Sequence, residues 1–481
     1  MDIRDIIINQ NAKLKEALQL LDKLGLGILF ITDESKVLVG VLTDGDIRRF
    51  LLSDGSLDNE IKDVMNKSFF SLSVDTDNET IINHINNKIK IIPLVDIAGK
   101  IVDYASINKL RRISISAPLL EGNELLYVTD CIKTNWISSQ GKYVRQFEKL
   151  FIDYHENHPA LAVSNGTVAL HLALEALGIG IGDEVIVPNL TFAASINAIL
   201  YTGATPVLVD VERDTFNIDM DKVDQYITNK TKAVMPVHLY GQSCDMDKIM
   251  TLSKKFNLLI IEDCAEALGS RYKDRPVGVF GDAATFSFFG NKTITTGEGG
   301  MVLFKDAEVA NKGAVLRDHG MSKEKRYWHD FIGFNYRLTN LQAAIGVAQF
   351  ERLGEFVNAK RKLAEIYNET LNKYSFFQTP VEKQDVFNSY WLYTFLIKEN
   401  APFKRNDLID YLNKRGIETR PVFYPLHVMP PYKPFGKNKN LRISAEISEL
   451  GMSLPSSVSL SVTEANYICN CISDFVNEIN F

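Results

Sequence analysis

The chain has 481 residues, 46% of them hydrophobic and 23% charged, with a formal net charge of −7. That length outgrows a single core, so two or three domains are expected. The acidic balance, with no basic patch, argues against a nucleic-acid binder. No apolar run approaches the ~20 residues needed to cross a bilayer, which excludes a spanning helix. The five cysteines, Cys131, Cys244, Cys264, Cys469 and Cys471, form no CxxC pair and no group with zinc spacing. No metal site is expected, and scattered thiols fit a cytoplasmic protein. The opening MDIRDIIINQNAKLKEALQLL has early acidic residues and no unbroken apolar stretch, so it does not read as a secretory signal.

Residues 1–113 read as a separate unit. Residues 12–24 have helical periodicity, with Leu14, Ala17, Leu18 and Leu21 on one face. GILFITDES and KVLVGVLT are strands around a polar turn at residues 33–35, and a helix opens at Asp46. KIKIIPLVDIAGKIVDYAS repeats strand, turn and strand before a helix-like INKLRR. Two copies of one small α/β unit indicate an internal repeat. The region resembles a tandem CBS-domain pair. GVLTDGD, residues 40–46, follows that family's G-h-h-T-x-x-D element. The resemblance implies an adenine or guanine nucleotide, with Thr43 at a phosphate and Asp46 at the ribose. The plainer reading makes Asp46 a helix cap in a dimerisation module. The second copy, IVDYASINKL, has no Thr-x-x-Asp.

Residues 114–120, SISAPLL, read as a linker. Amphipathic helices follow at residues 123–133 and 143–154. Then apolar runs alternate with helical segments: EVIVP, TPVLVDV, AVMPVHLY, LLIIEDC, AATFSFFG and GGMVLF. Near-continuous apolar strands between helices predict a sheet covered on both faces. Beyond residue 350 the rhythm changes. Helices at 353–373 and 404–415 and the strand-like YWLYTFLI predict a smaller α/β domain over residues 351–481, after a large domain over 121–350.

Three features carry chemistry. In LAVSNGTVALHLALEALG, residues 164–167 form a turn of small residues at a helix start, which suits phosphate. In LLIIEDCAEALGS, a buried strand ends at Glu262 and Asp263, where ligands bind in open α/β sheets. In AATFSFFGNKTITTGEGGMVLF, Lys292 stands in a short polar loop between apolar strands. Burial there would make it nucleophilic. Alone, each feature is ordinary: a helix cap, a capping carboxylate, a surface lysine. Their order is the one a fold-type-I pyridoxal-phosphate enzyme requires.

Residues from about 117 onward resemble the DegT/DnrJ/EryC1/StrS sugar aminotransferases. The matching stretches include WISSQGKYVRQFE, EVIVPNLTFAASINAI, PVHLYGQSCDMDKI, IIEDCAEALGS, FSFFGNKTITTGEGGMV, YWHDFIGFNYRLTNLQAAIGVAQ and GIETRPVFYPLH. Within the family the chain is nearest the type that forms GDP-perosamine. The resemblance implies a large domain with a mostly parallel seven-stranded sheet, a small C-terminal domain and pyridoxal 5′-phosphate as cofactor. It implies that Lys292 carries the cofactor covalently and moves protons, and that Asp263 pairs with the pyridine nitrogen. Gly166, Thr167 and Ser287 would hold the phosphate, and Phe192 would stack on the ring. Glu266 stands where the family usually has Gln beside the phenolic oxygen. Asn335 would reach the phosphate of the neighbouring subunit, making a homodimer with shared sites; the CBS pair could extend the assembly. Some relatives carry His at the lysine position and dehydrate the sugar, so Lys292 favours amino transfer.

Trp136, Ser138, Tyr327, His329, Arg420, Tyr424 and His427 resemble positions lining a nucleotide-sugar cleft. The expected reaction moves an amine from L-glutamate to a nucleotide-linked 4-keto-6-deoxy sugar. GDP-4-keto-6-deoxymannose is the first choice, for O-antigen or similar lipopolysaccharide synthesis. A UDP- or dTDP-linked 4-keto or 3-keto sugar is the alternative. A nucleotide-sensing regulatory protein acting through the CBS pair is a reading of another class.

Overall fold

Leu14, Ala17 and Leu21 recur at helical spacing, and all three are buried on one face of helix Leu14–Leu24. Gly25 ends that helix at φ 65°, a left-handed conformation in which glycine meets no Cβ clash. The computed structural model describes residues 3–76, 78–86, 89–106, 113–437 and 439–479. The chain divides into two units, Met1–Arg112 and Ile113–Phe481.

In the first unit, two three-stranded sheets share one plan. Ile7–Asn9 pairs parallel with Ile28–Thr32, which pairs antiparallel with Leu38–Thr43. Leu72–Ser73 pairs parallel with Ile91–Val95, which pairs antiparallel with Ile101–Ser106. The repeated pairing matches the internal repeat read from sequence. Leu29, Phe30, Ile31 and Leu42 of the first copy share a core with Tyr104 of the second. The helix expected to open at Asp46 begins earlier, as Asp44–Leu52, because Thr43 is its N-cap. The helix expected at residues 107–112 lies outside the described residues.

The second unit is built on a seven-stranded sheet. Its strand order is Ala160–Val163, Gly300–Phe304, Ala283–Ser287, Leu259–Asp263, Thr231–Val234, Glu184–Pro188, Thr205–Val209. Neighbours are parallel except at Gly300–Phe304, which runs against both flanking strands. One core joins Leu170, Leu172 and Leu174 to Val185 and Val187, and another joins Phe147 and Phe151 to Phe286 and Met301. Alternate residues of the strands thus enter different cores, which is why these strands are continuously apolar. The AVMPVHLY run is strand only at Thr231–Val234. Pro236 has no N–H for the ladder, and the chain then turns at Leu239–Gly241 with Tyr240 at φ 54°.

A second, four-stranded antiparallel sheet orders Phe377–Gln378, Tyr393–Ile397, Gly451–Leu454, Arg420–Pro421. Helices Leu353–Leu371, Arg405–Lys414 and Val462–Ile479 share its core, with Tyr367, Leu408 and Ile472 beside Tyr393 and Phe395. The segment read as a linker carries no helix or strand over residues 114–120 and is held by contacts near its start. Ile113 bridges Ile417, Ile115 is buried, and the Ile115 and Ala117 N–H groups bond Glu418 Oε2 and Ser457 Oγ at 3.1 and 2.8 Å. Ile115 shares a core with Val211 and Trp391, and its apolar burial holds the segment down.

Candidate active site

The phosphate turn is set by two glycines. Strand Ala160–Val163 runs into helix Gly166–Ala176, whose N-cap Asn165 accepts from Val168 N–H at 3.0 Å. A Cβ on Gly166 would lie 2.8 Å from Ser287 Cβ, and one on Gly300 would lie 2.6 Å from Asn165 O. Only glycine lets these three segments meet. The helix N-terminus, with Thr167 in its first turn, therefore stands beside the Ser287 strand end. Free N–H groups and the positive helix end make this an anion cradle. The Ser164 N–H donates to Tyr336 O at 2.9 Å, which lays the GFNYR segment along the turn. Asn335 itself is exposed, and its Oδ1 accepts from Arg337 Nε at 3.2 Å.

Asp263 ends its strand 4% exposed. Its Oδ2 accepts from Ser195 Oγ at 2.8 Å and its Oδ1 from Ala265 N–H at 3.1 Å. Burial pushes its carboxyl up, against those two bonds and the charge of Lys292. It is thus a buried acid without a direct cation partner among the described residues. The adjacent Glu262 is different. It accepts from the N–H groups of Gly278, Phe280 and Gly281 at 2.7–2.8 Å and lies 3.2 Å from His238 Nε2. His238 Nδ1 accepts from Cys244 N–H, which leaves Nε2 to donate to Glu262. With both oxygens served, Glu262 is structural, and Cys264 beside it is fully buried.

Lys292 stands in the loop after Ala283–Ser287, with its side chain 13% exposed. Its Nζ lies 3.6 Å from Glu266 Oε1 and 3.8 Å from the centre of the Trp391 ring. Burial pulls the amine pKa down, opposed by Glu266 and Asp263. Burial likewise pushes Glu266 up to about 7, opposed by Lys292 and by the Tyr240 N–H that donates to its Oε2 at 3.1 Å. Amine and carboxyl are therefore both drawn toward neutrality, the condition a nucleophilic lysine needs. Phe192 is 60% exposed, not packed in the core, and its ring faces Phe423 at 5.9 Å. Much of that aromatic ring is accessible to solvent.

The outer residues are only partly gathered. Tyr424 is exposed and follows Phe423 of this aromatic group. His427 is held from behind. Its own N–H bonds Asn189 Oδ1, which fixes the amide so that Asn189 Nδ2 donates to His427 Nδ1 at 2.8 Å. The ring is thereby the tautomer with its proton on Nε2. Arg420 lies near enough to Lys292 to act on its charge. Trp136, Ser138, Tyr327 and His329 are exposed. Among the described residues, no hydrogen bond, ion pair or ring contact joins them to the Lys292 group. In the first unit, both oxygens of Asp46 are engaged: Oδ2 by Thr43 N–H and Oγ at 2.9 and 2.6 Å, Oδ1 by Arg49 at 2.6 Å. That is a capping box, and it favours the cap over the ribose contact.

Ser195, Tyr240 and Trp391 were not singled out in the sequence. Ser195 meets Asp263 from 68 residues away, so no local spacing marks it.

Residues 118–473 match the DegT/DnrJ/EryC1/StrS aminotransferase family. The chain belongs to that family. Residues 1–53 match a CBS domain. A GDP-perosamine synthase of Escherichia coli O157:H7 is 48% identical over 369 residues, 77% of this chain and the whole of that protein. One from Caulobacter vibrioides is 49% identical over 74% of this chain and 96% of its own. The solved sugar aminotransferase Spr1654 of Streptococcus pneumoniae, in its PLP form, is 30% identical with TM-score 0.72, covering 76% of this chain and 99% of that one. This aminotransferase uses pyridoxal phosphate. Its residues fit that group on three counts: the glycine-built anion cradle, the buried Asp263 lacking a cation, and the buried amine of Lys292.

Proposed function

We propose that this aminotransferase converts a nucleotide-linked 4-keto-6-deoxy sugar to the 4-amino-4,6-dideoxy sugar, with L-glutamate as donor. The sugar nucleotide is GDP-4-keto-6-deoxymannose and the product GDP-perosamine, for O-antigen or a similar surface glycan. The observation that carries amino transfer is a buried lysine amine, Lys292, in the strand-end group with Asp263 and Glu266. The choice of sugar follows three relatives, 45–49% identical, that bear the name GDP-perosamine synthase.

Pyridoxal phosphate, when bound, supplies a ring that draws electrons from the substrate carbon. The turn at Gly166 and Thr167, with Ser287, would hold its phosphate. Asp263 would pair with its protonated ring nitrogen, Phe192 would cover its face, and Glu266 would lie beside its phenolic oxygen. Lys292 Nζ would hold it covalently and would serve as the base that moves a proton at the substrate carbon. The Lys292→Ala variant should lose transamination by about 1000-fold or more. Borohydride reduction should fix the cofactor on the Lys292 peptide of the unmodified protein. A variant that still transaminates sinks the reading. Assays with GDP-, UDP- and dTDP-linked keto sugars under glutamate decide the base, and a UDP or dTDP preference overturns that part alone.

The enzyme acts as a homodimer whose partner completes the phosphate site through Asn335. Leu125, Leu126 and Ile132 of helix Glu124–Lys133 are 60–80% exposed, and Phe331 and Ile332 are 53% and 95% exposed. So much exposed apolar surface calls for a partner. Co-expressed Lys292→Ala and Asn335→Ala chains should recover activity that neither has alone, because one mixed site is intact. No recovery removes the shared site.

A further inference from the structure

Trp391 has no motif around it, yet it touches the reactive lysine directly. It is 3% exposed and lies just before strand Tyr393–Ile397. Lys292 Nζ sits 3.8 Å from the centre of its ring. Its indole N–H donates to the carbonyl of Asn291, the residue before the lysine, at 2.8 Å. Tyr240 stacks against the indole at 6.0 Å and 8°, and Phe423 stacks on Tyr240 at 5.7 Å. The Trp391 carbonyl accepts from Lys360 Nζ at 3.1 Å. Lys360 is itself buried, 2% exposed, and spends its other bond on Ser456 O at 2.7 Å. A tryptophan fixed through its ring, its N–H and its carbonyl presents one face to the lysine in a set position.

The lysine has a use for that face. Its amine is buried, and the anions near it are poor support. Asp263 makes no ion pair with it among the described residues, and Glu266, 3.6 Å away, has its own carboxyl driven toward neutrality. An indole face stabilises an ammonium without being another titrating group. The N–H bond to Asn291 also anchors the loop from which the lysine reaches.

We propose that Trp391 is a positioning residue for Lys292: its indole face steadies the amine as an ammonium, its N–H pins the lysine loop, and Lys360 pins Trp391 in turn. This rests on the reading of Lys292 as the cofactor-bearing residue. The lysine then waits in one place when it is not bonded to cofactor, aimed into the site instead of swinging free.

The test is the titration midpoint of the Lys292 amine in the full-length, cofactor-free chain. Trace acetic anhydride labelling across pH, read on the Lys292 peptide by mass spectrometry, measures it without any turnover. Trp391→Leu should lower the midpoint by about 0.5–1 pH unit, because the ammonium loses its aromatic support. Trp391→Phe, which keeps a ring, should restore most of that shift. A side chain that only excludes water predicts the opposite sign, since opening the site would hydrate the ammonium and raise the midpoint. A midpoint unmoved or raised in Trp391→Leu overturns the proposal. If that variant does not fold, mono-, di- and trifluorotryptophan incorporation drains the ring face at nearly constant size. The chain has three tryptophans, and the other two, Trp136 and Trp328, are exposed. The midpoint should step down with each fluorine, and a flat series overturns the proposal. Failure of the underlying reading is seen separately: borohydride would then trap the cofactor on a peptide other than that of Lys292.

Discussion

Asp46 and Asp263 both stand where a strand gives way to the next element, one in each unit, and their surroundings are opposite. Asp46 finds its partners three residues away on either side, Thr43 and Arg49. Asp263 is almost fully buried, and its hydroxyl donor, Ser195, comes from 68 residues earlier. A carboxylate satisfied by its own helix has little left to offer a ligand. A carboxylate carried into the interior by a strand, and served there by one hydroxyl and one amide, still wants a cation. The difference separates an acid satisfied by its own helix from one left in need of a partner, although the two look alike as letters.

Substitutions can break that contrast or sharpen it. Asp263→Asn should cut turnover by about 100-fold or more, roughly 3 kcal/mol of barrier, with the fold retained. Asp46→Asn should leave turnover unchanged. If a nucleotide raised the melting temperature of the protein and lost that effect in Asp46→Asn, the contrast would fail.

Glu266 offers a pH signature of its own. Its carboxyl moves from an ordinary 4.5 to about 7 on burial, so the folded chain favours the protonated form. The stability it contributes is complete below about 4.5 and is lost as pH rises through about 7. The loss is on the order of 3 kcal/mol in cofactor-free protein. Denaturant titrations of Glu266→Gln across that range should be correspondingly flatter, and an unchanged slope would assign the effect elsewhere.

The smallest effects belong to the first unit. Thr43→Ala removes the N-cap of Asp44–Leu52 and should cost about 1 kcal/mol in urea unfolding, with no change in turnover. Arg49→Ala removes an exposed ion pair and should cost under about 0.5 kcal/mol. A loss in Arg49→Ala larger than that in Thr43→Ala would show that Asp46 depends on charge more than on the cap.

Much of the site was legible because its parts are local. The turn at residues 164–167, the strand end at Asp263 and the loop at Lys292 each announce themselves within a few residues. The strands were legible for a related reason: a sheet covered on both faces needs unbroken apolar runs. The docking of Ile115 beside Val211 and Trp391 was not legible, because those partners lie roughly 100 and 280 residues along the chain. Trp391 was invisible because its partners, Lys292, Asn291, Tyr240 and Lys360, are scattered over about 120 residues of the chain before it.

The sequence by itself determined the order of the chemical groups, the internal repeat and the family. Short-range periodicity and backbone requirements write these directly into neighbouring residues. Tertiary structure alone decided which acid is left in need of a cation, which aromatic faces the lysine, and which way the His427 ring is protonated. Those outcomes depend on burial and on hydrogen bonds between distant segments, and neither quantity exists until the chain has folded.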